Sequence, residues 1–166
     1  MPVELPQRCR PDSILEFRTA ARLRMQDGVA LLADDRPTTA IYLWGYAAEM
    51  ILKAAYFDLV GFAHTKTITG MDLNTARTMA KNLAITWPGN LHYLLGWTEL
   101  LIAIRASVPD LAYADTSFAS AVRTHGSNLQ RIWSATLRYH KNRAYRFEAN
   151  KARAAAEWLI EHDGKL

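Results

Sequence analysis

The chain is expected to be all-α, a single-domain, up-and-down bundle of about five or six helices. Three observations predict this. Apolar residues recur at helical spacing along almost the whole chain, and no segment sustains the alternation of a half-buried strand. One stretch, residues 40–57, is apolar nearly all round and carries only Glu49 and Lys53 as charges. A helix of that kind belongs in the middle of a bundle.

Each element has its own local reason. The first helix opens at Ser13, which with Glu16 three residues on makes a capping box for the free N–H groups of the first turn. Ile14, Phe17, Ala21, Met25 and Leu32 then fall on one face. Gly28 interrupts that helix at a cost of about 1 kcal/mol relative to Ala, so it needs tertiary support. The "DDRPTT" stretch breaks the chain, and Pro37 suits the first turn of the central helix. Its two charges and modest length argue against a membrane span, and no membrane partner is expected.

"GFAHTKTITG" reads as a loop between glycines, after which Asp72 caps a shorter helix running to about Ile85. "WPGN" is a turn, and Asn90 is placed as the cap of a helix that Pro109 ends. Another helix begins near Asp115, with Gly126 weakening its continuity. The last helix is expected to start after Asn142 and to turn Phe147, Ala154, Ala155, Trp158 and Leu159 inward. One domain covers residues 1–166, with residues 1–11 as an N-terminal arm and 164–166 as a C-terminal tail.

Composition narrows the function classes. Of 166 residues, half are hydrophobic and 22% are charged, which suits a globular rather than a disordered chain. Cys9 is the only cysteine, so no intrachain disulfide can form. The opening "MPVELPQRCRPDS" lacks the apolar core of a signal peptide, and a cytoplasmic location is expected. Charge is unevenly spread. Eight basic residues stand against Glu148 alone between Arg123 and Arg153, a local +7 in a chain of net +4. That concentration suits an anionic partner such as RNA, DNA or a nucleotide, though it also suits a merely solvated face.

Several chemistries lack their residues. No glycine-rich phosphate loop is present. His64, His92, His125, His140 and His162 never pair at the three- or four-residue spacing of a helical metal site, so neither a metal nor a cofactor is expected. No serine sits in a nucleophile elbow.

Residues 42–54, "YLWGYAAEMILKA", resemble the second helix of the HEPN domains, a family of small all-α proteins. The shared pattern is Tyr-Leu-x-Gly-Tyr-x-x-Glu-x-x-Leu-Lys-Ala. The likeness reaches loosely from Ser13 to His162, with basic residues near the start of the final helix. On helical geometry Tyr42, Tyr46, Glu49 and Lys53 form one stripe, opposite Ile41, Trp44, Ala48, Ile51 and Ala55. Glu49 and Lys53 stand in the favourable order for an ion pair. The stripe, with Tyr46, Glu49 and Lys53 at its centre, is expected to line a groove or a dimer contact. There Glu49 would meet one of the C-terminal arginines, or the pair would lie at the solvent edge.

The resemblance also implies a site. Ribonucleases of the family carry an Arg, four to six residues, then a His, in some followed by one residue and a Tyr, and cleave RNA without a metal. Aligned on Arg138, the His position is Arg143 and the Tyr position is Tyr145. Arg143 cannot shuttle a proton near neutrality, but it can grip phosphate through two parallel hydrogen bonds. The reading is therefore anion binding by Arg138, Lys141, Arg143 and Arg146, with Tyr139 and Tyr145 as stacking surfaces. If Asn142 caps the last helix, its free N–H groups would reinforce that charge. The alternatives are a ribonuclease using His140 with Arg138 and Tyr145, and a structural or oligomerisation bundle in which the arginines only fix the turn. The resemblance further implies a homodimer, a nucleotidyltransferase partner and a toxin–antitoxin or defence setting.

Overall fold

A computed structural model describes residues 9, 11–108 and 116–166. Within them the fold is all-helical, with six α-helices and no strand. Asp115, Pro109 and most of the 1–11 arm lie outside the described residues.

Helix α1, Ile14–Ala33, starts where Ser13 Oγ accepts the Glu16 N–H at 3.2 Å. Its buried face carries Ile14, Phe17, Ala21, Gly28 and Leu32. Gly28 is where the tertiary support enters. A Cβ there would stand 2.3 Å from Trp44 Nε1, and that indole donates to the Met25 carbonyl at 3.2 Å. The glycine that weakens the helix seats a fully buried tryptophan.

Helix α2, Pro37–Leu59, is the core helix, with sixteen of its 23 residues buried. It packs against α1 and against the helices that close the chain. Helix α3, Gly70–Asn82, is capped by Thr69, and Asp72 is the reciprocal member of the capping box. Helix α4, Leu94–Ser107, begins later than Asn90 predicts. Asn90 Oδ1 instead holds the His92 N–H at 2.9 Å, and the free Leu94 N–H finds Gln130 Oε1 at 2.8 Å.

Helix α5, Thr116–Gln130, runs unbroken through Gly126. A Cβ at 126 would lie 2.4 Å from the Oγ1 of buried Thr98, so this glycine lets α4 and α5 touch rather than marking a break. Helix α6, Arg146–Glu161, buries Ala149, Ala152, Ala155, Ala156 and Leu159. Phe147 is 58% exposed, and Ala154 is exposed as well, so both point away from the expected core face. Small side chains at helical spacing let α6 lie close on α2, and a phenylalanine in that row would hold the helices apart.

Residues 164–166 do not form a loose tail. Asp163 is buried and accepts from Arg18 Nε at 2.9 Å, while Arg18 also reaches Asp58 at 2.9 Å. Arg105 donates to the Leu166 carbonyl oxygen at 3.1 Å, and the Leu166 side chain is buried.

Candidate nucleic-acid interface

The basic segment is tied down over the N-terminal half of α2. After α5 the buried Trp133 donates its indole N–H to the Tyr42 carbonyl at 3.1 Å. A short 3₁₀ helix, Ala135–Tyr139, follows. Asn142 then caps a helix, but not the one predicted. Its Oδ1 accepts the Thr38 N–H of α2 at 3.1 Å, and its Nδ2 donates to the Asp35 carbonyl at 2.9 Å. Thr38 answers through its hydroxyl, which accepts the N–H groups of Arg143 and Ala144 at 2.8 Å each. Helix α6 starts four residues beyond Asn142, because this segment is spent latching onto α2.

That latch opens a groove. Arg131, His140, Lys141 and Arg143 stand around a pocket of about 290 Å³ floored by Ile41, Ile132 and Leu137. A second pocket of about 480 Å³ is lined by His125, Asn128, Lys151 and, again, Arg131 and Ile132. Arg131 is therefore the wall common to both. Glu148 is the single carboxylate on either lining, and it accepts the Tyr145 N–H at 2.8 Å. Exposed aromatic rings stand on this basic segment. Tyr145 and Phe147 stack at 5.8 Å, Lys151 Nζ lies 5.5 Å from the Phe147 ring, and Tyr139 is 74% exposed.

The four arginine and lysine residues predicted to bind phosphate do not share one pocket. Lys141 and Arg143 line the groove with His140. Arg146 points to Asp35, 3.7 Å away. Arg138 lies over the ring of Tyr139, 4.7 Å from its centroid, and the hydroxyl of Tyr42, then Tyr139, raises the pKa of its guanidinium. Arg131, which no motif marks, lines both pockets, together with Ile132.

Glu49 does not meet a C-terminal arginine. Its buried carboxylate holds Lys53 Nζ at 2.5 Å and the Nδ1 of His92 at 2.9 Å. Lys53 is buried too, with its ammonium 5.4 Å from the Trp97 ring. Tyr46 packs edge-on against His92 at 5.5 Å, against Tyr42 at 5.0 Å and against Trp133 at 5.4 Å. Burial first, then the neighbouring Tyr42, pushes the Tyr46 phenol up to about 12. His92 escaped the sequence reading because nothing local links it to a partner 43 residues away. The one signal was Glu49 itself, a carboxylate in a core helix with more acceptor capacity than one lysine fills.

Beside the second pocket, Trp158 stacks with His125 at 4.4 Å and with His162 at 4.1 Å. Burial, then the adjacent His162, lowers the His125 pKa. On acidification the unfolded chain therefore takes up this proton before the folded one does. The stabilisation is full above the unfolded imidazole value of about 6.5 and is lost as pH falls from there toward the folded value. The melting-temperature advantage of the wild type over His125→Phe, whose ring stacks but cannot titrate, is expected to shrink between about pH 8 and pH 5. An advantage that stays constant across that range rules out the linkage.

The described residues thus define an all-α bundle with a basic, aromatic-edged groove beside a buried charge cluster. Among them no group of three or more His, Cys, Asp or Glu side chains is placed to hold a metal. No helix among them is long and apolar enough to cross a membrane. Comparison of the chain with known protein families, curated proteins and solved structures found no match.

Proposed function

We propose that this chain is a HEPN-like, nucleic-acid-associated module whose groove grips single-stranded RNA by its phosphates. The observation that supports the reading is that two basic pockets adjoin, with Arg131 and Ile132 lining both. A mononucleotide would need one such pocket, whereas two in a row suit successive phosphates of a strand. Exposed Tyr139, Tyr145 and Phe147 supply stacking faces that accept any base, each stacked base contributing about 1–3 kcal/mol. The groove itself binds without cutting. Arg143, at the position where the family's ribonucleases carry histidine, is permanently cationic, and a guanidinium stabilises phosphate charge but moves no proton. A homodimer would double the number of grooves, and a toxin–antitoxin or defence context with a nucleotidyltransferase neighbour fits the resemblance of residues 42–54.

Fluorescence anisotropy of a labelled oligoribonucleotide at several salt concentrations tests this. Affinity is expected to fall steeply with salt, and Arg131→Ala to lower the log–log slope by about 0.7, the value of one phosphate contact on a single strand. Lys141→Ala with Arg143→Ala should weaken binding further, while Arg146→Ala, engaged with Asp35, should matter least. Binding that ignores both salt and the groove substitutions would refute the reading.

A further inference from the structure

We propose that a cavity on α3 binds a small aromatic carboxylate, its charge held by Arg77 and Lys81 and its ring laid against Trp87. None of these three residues lines either pocket of the RNA groove, so the inference goes beyond the RNA reading and does not depend on it.

The local sequence builds the cavity. Asn74, Arg77, Thr78 and Lys81 recur three and four residues apart, which sets them along one face of α3. Ala76 and Ala80 turn the adjoining face into the core. The helix ends in a Schellman-type turn. There the Ala84 N–H returns to the Lys81 carbonyl at 3.0 Å, and the Ile85 N–H to the Ala80 carbonyl at 2.9 Å. Ala84 takes a left-handed φ of 57° at this turn, a conformation that favours glycine. The reversal brings Ile85 and Trp87 back beside the last turns of α3, and these six side chains line about 370 Å³. That is the small end of the range for small-molecule sites, about 300–1,000 Å³.

Trp87 is a fixed wall rather than a loose surface ring. It packs where Gly96 of α4 has no side chain, since a Cβ there would stand 2.4 Å from the indole. Trp97 meets it edge-on with centroids 5.0 Å apart, and its N–H donates to the Asn90 carbonyl at 3.0 Å. With its one polar atom engaged, the indole offers the cavity ring surface alone. A ring already held in place loses little further freedom when a ligand stacks on it.

The charges select the anion. Arg77 and Lys81 are exposed, and among the described residues neither side chain forms an ion pair or a hydrogen bond. No carboxylate among those residues lines the cavity. A merely solvated helix face explains the two cations, but not the tryptophan locked beside them. A phosphate dianion fits poorly here. Lys81 lies in the last turn of α3, where unpaired carbonyls give the helix end partial negative charge. Two cations beside that end match the single charge of a carboxylate, whose planar oxygens also suit the guanidinium fork of Arg77. Asn74 lines the same wall, and its amide can hydrogen-bond a polar substituent on the ring.

The full chain is titrated with 2-naphthoate and followed by proton–nitrogen NMR on its five tryptophan indole N–H signals. The Trp87 signal, assigned with Trp87→Phe, is expected to shift and saturate, while those of buried Trp44 and Trp133 stay in place. Arg77→Gln, at an exposed position that leaves the fold intact, should weaken binding by about 10-fold or more, as loss of a bidentate charged hydrogen bond requires. Lys81→Gln should weaken it by about threefold. Cyclohexanecarboxylate keeps the charge without the flat ring and should bind at least about threefold more weakly than naphthoate. Arg131→Ala, in the RNA groove, should leave naphthoate binding unchanged. An unmoved Trp87 signal, or Arg77→Gln binding as the wild type does, overturns the proposal. So does adenosine 5′-monophosphate binding more tightly than naphthoate, or cyclohexanecarboxylate binding equally well. Loss of naphthoate binding in Arg131→Ala would place the ligand in the groove and overturn it too. Naphthoate bound by a chain that shows no RNA binding in anisotropy defeats the RNA reading alone.

Discussion

Glu49→Leu is expected to destabilise the fold by about 3–5 kcal/mol, because it leaves the Lys53 ammonium buried without its partner. The substitution is close to neutral in volume and adds apolar surface to a core helix, so a view based on hydropathy alone predicts a gain. The structure predicts the reverse. Lys53 is only 7% exposed and lies among Phe17 and Trp97, whose ring faces offset a small part of the lost charge pairing. His92 loses its acceptor at the same time. The loss belongs to the unpaired charge and not to the carboxylate as such, so Glu49→Leu with Lys53→Met should recover most of it. Replacing a buried ion pair by packed apolar groups is often neutral or better. Urea denaturation of the wild type, both single variants and the double variant closes the cycle. A Glu49→Leu protein as stable as the wild type would mean that Lys53 finds water, and the buried pair would then lose its claimed weight.

Gly45→Ala is the second large effect, expected at or above the top of the about 1–3 kcal/mol range for overpacking. A Cβ at position 45 would stand 2.0 Å from Cδ1 and 2.1 Å from Nε1 of Trp133, well inside any real contact. Trp133 cannot simply turn aside. Its indole is buried, donates to the Tyr42 carbonyl and meets Tyr46 edge-on. Expelling it would pull the 3₁₀ helix off α2 and disturb the segment that carries Lys141 and Arg143, so stability should fall, and the proposed RNA binding with it. Trimming the clash with Trp133→Leu in the Gly45→Ala background should restore part of the stability, as measured by thermal melting. Gly45→Ala that melts with the wild type would show that α2 and the Trp133 segment are not in close contact.

The two effects mark how far local pattern reaches. Residues 42–54 showed a stripe of Tyr42, Tyr46, Glu49 and Lys53, and the spacing correctly makes Tyr42 meet Tyr46 and Glu49 meet Lys53. Gly45 was visible as part of a pattern but had no reason until Trp133 arrived from 88 residues away. Gly28 and Gly126 read as weaknesses and are seats for Trp44 and Thr98. Asn142 carried the right chemistry for a cap and served a different helix, since its side-chain oxygen accepts the N–H of Thr38 in the first turn of α2. Phe147 fell near an inward register that alanines occupy instead.

Helical periodicity, one apolar core helix and clustered arginines determined, without coordinates, an all-α bundle with a basic C-terminal third. These are local properties, repeated every three or four residues, and they need no knowledge of what lies across the core. Tertiary structure alone decided that Arg131 borders two pockets, that Arg138 and Arg143 part company, and that His92 answers Glu49. Each of those depends on which surfaces meet when helices pack, and packing is set by volumes and hydrogen-bond demands summed over distant segments rather than by any spacing along the chain.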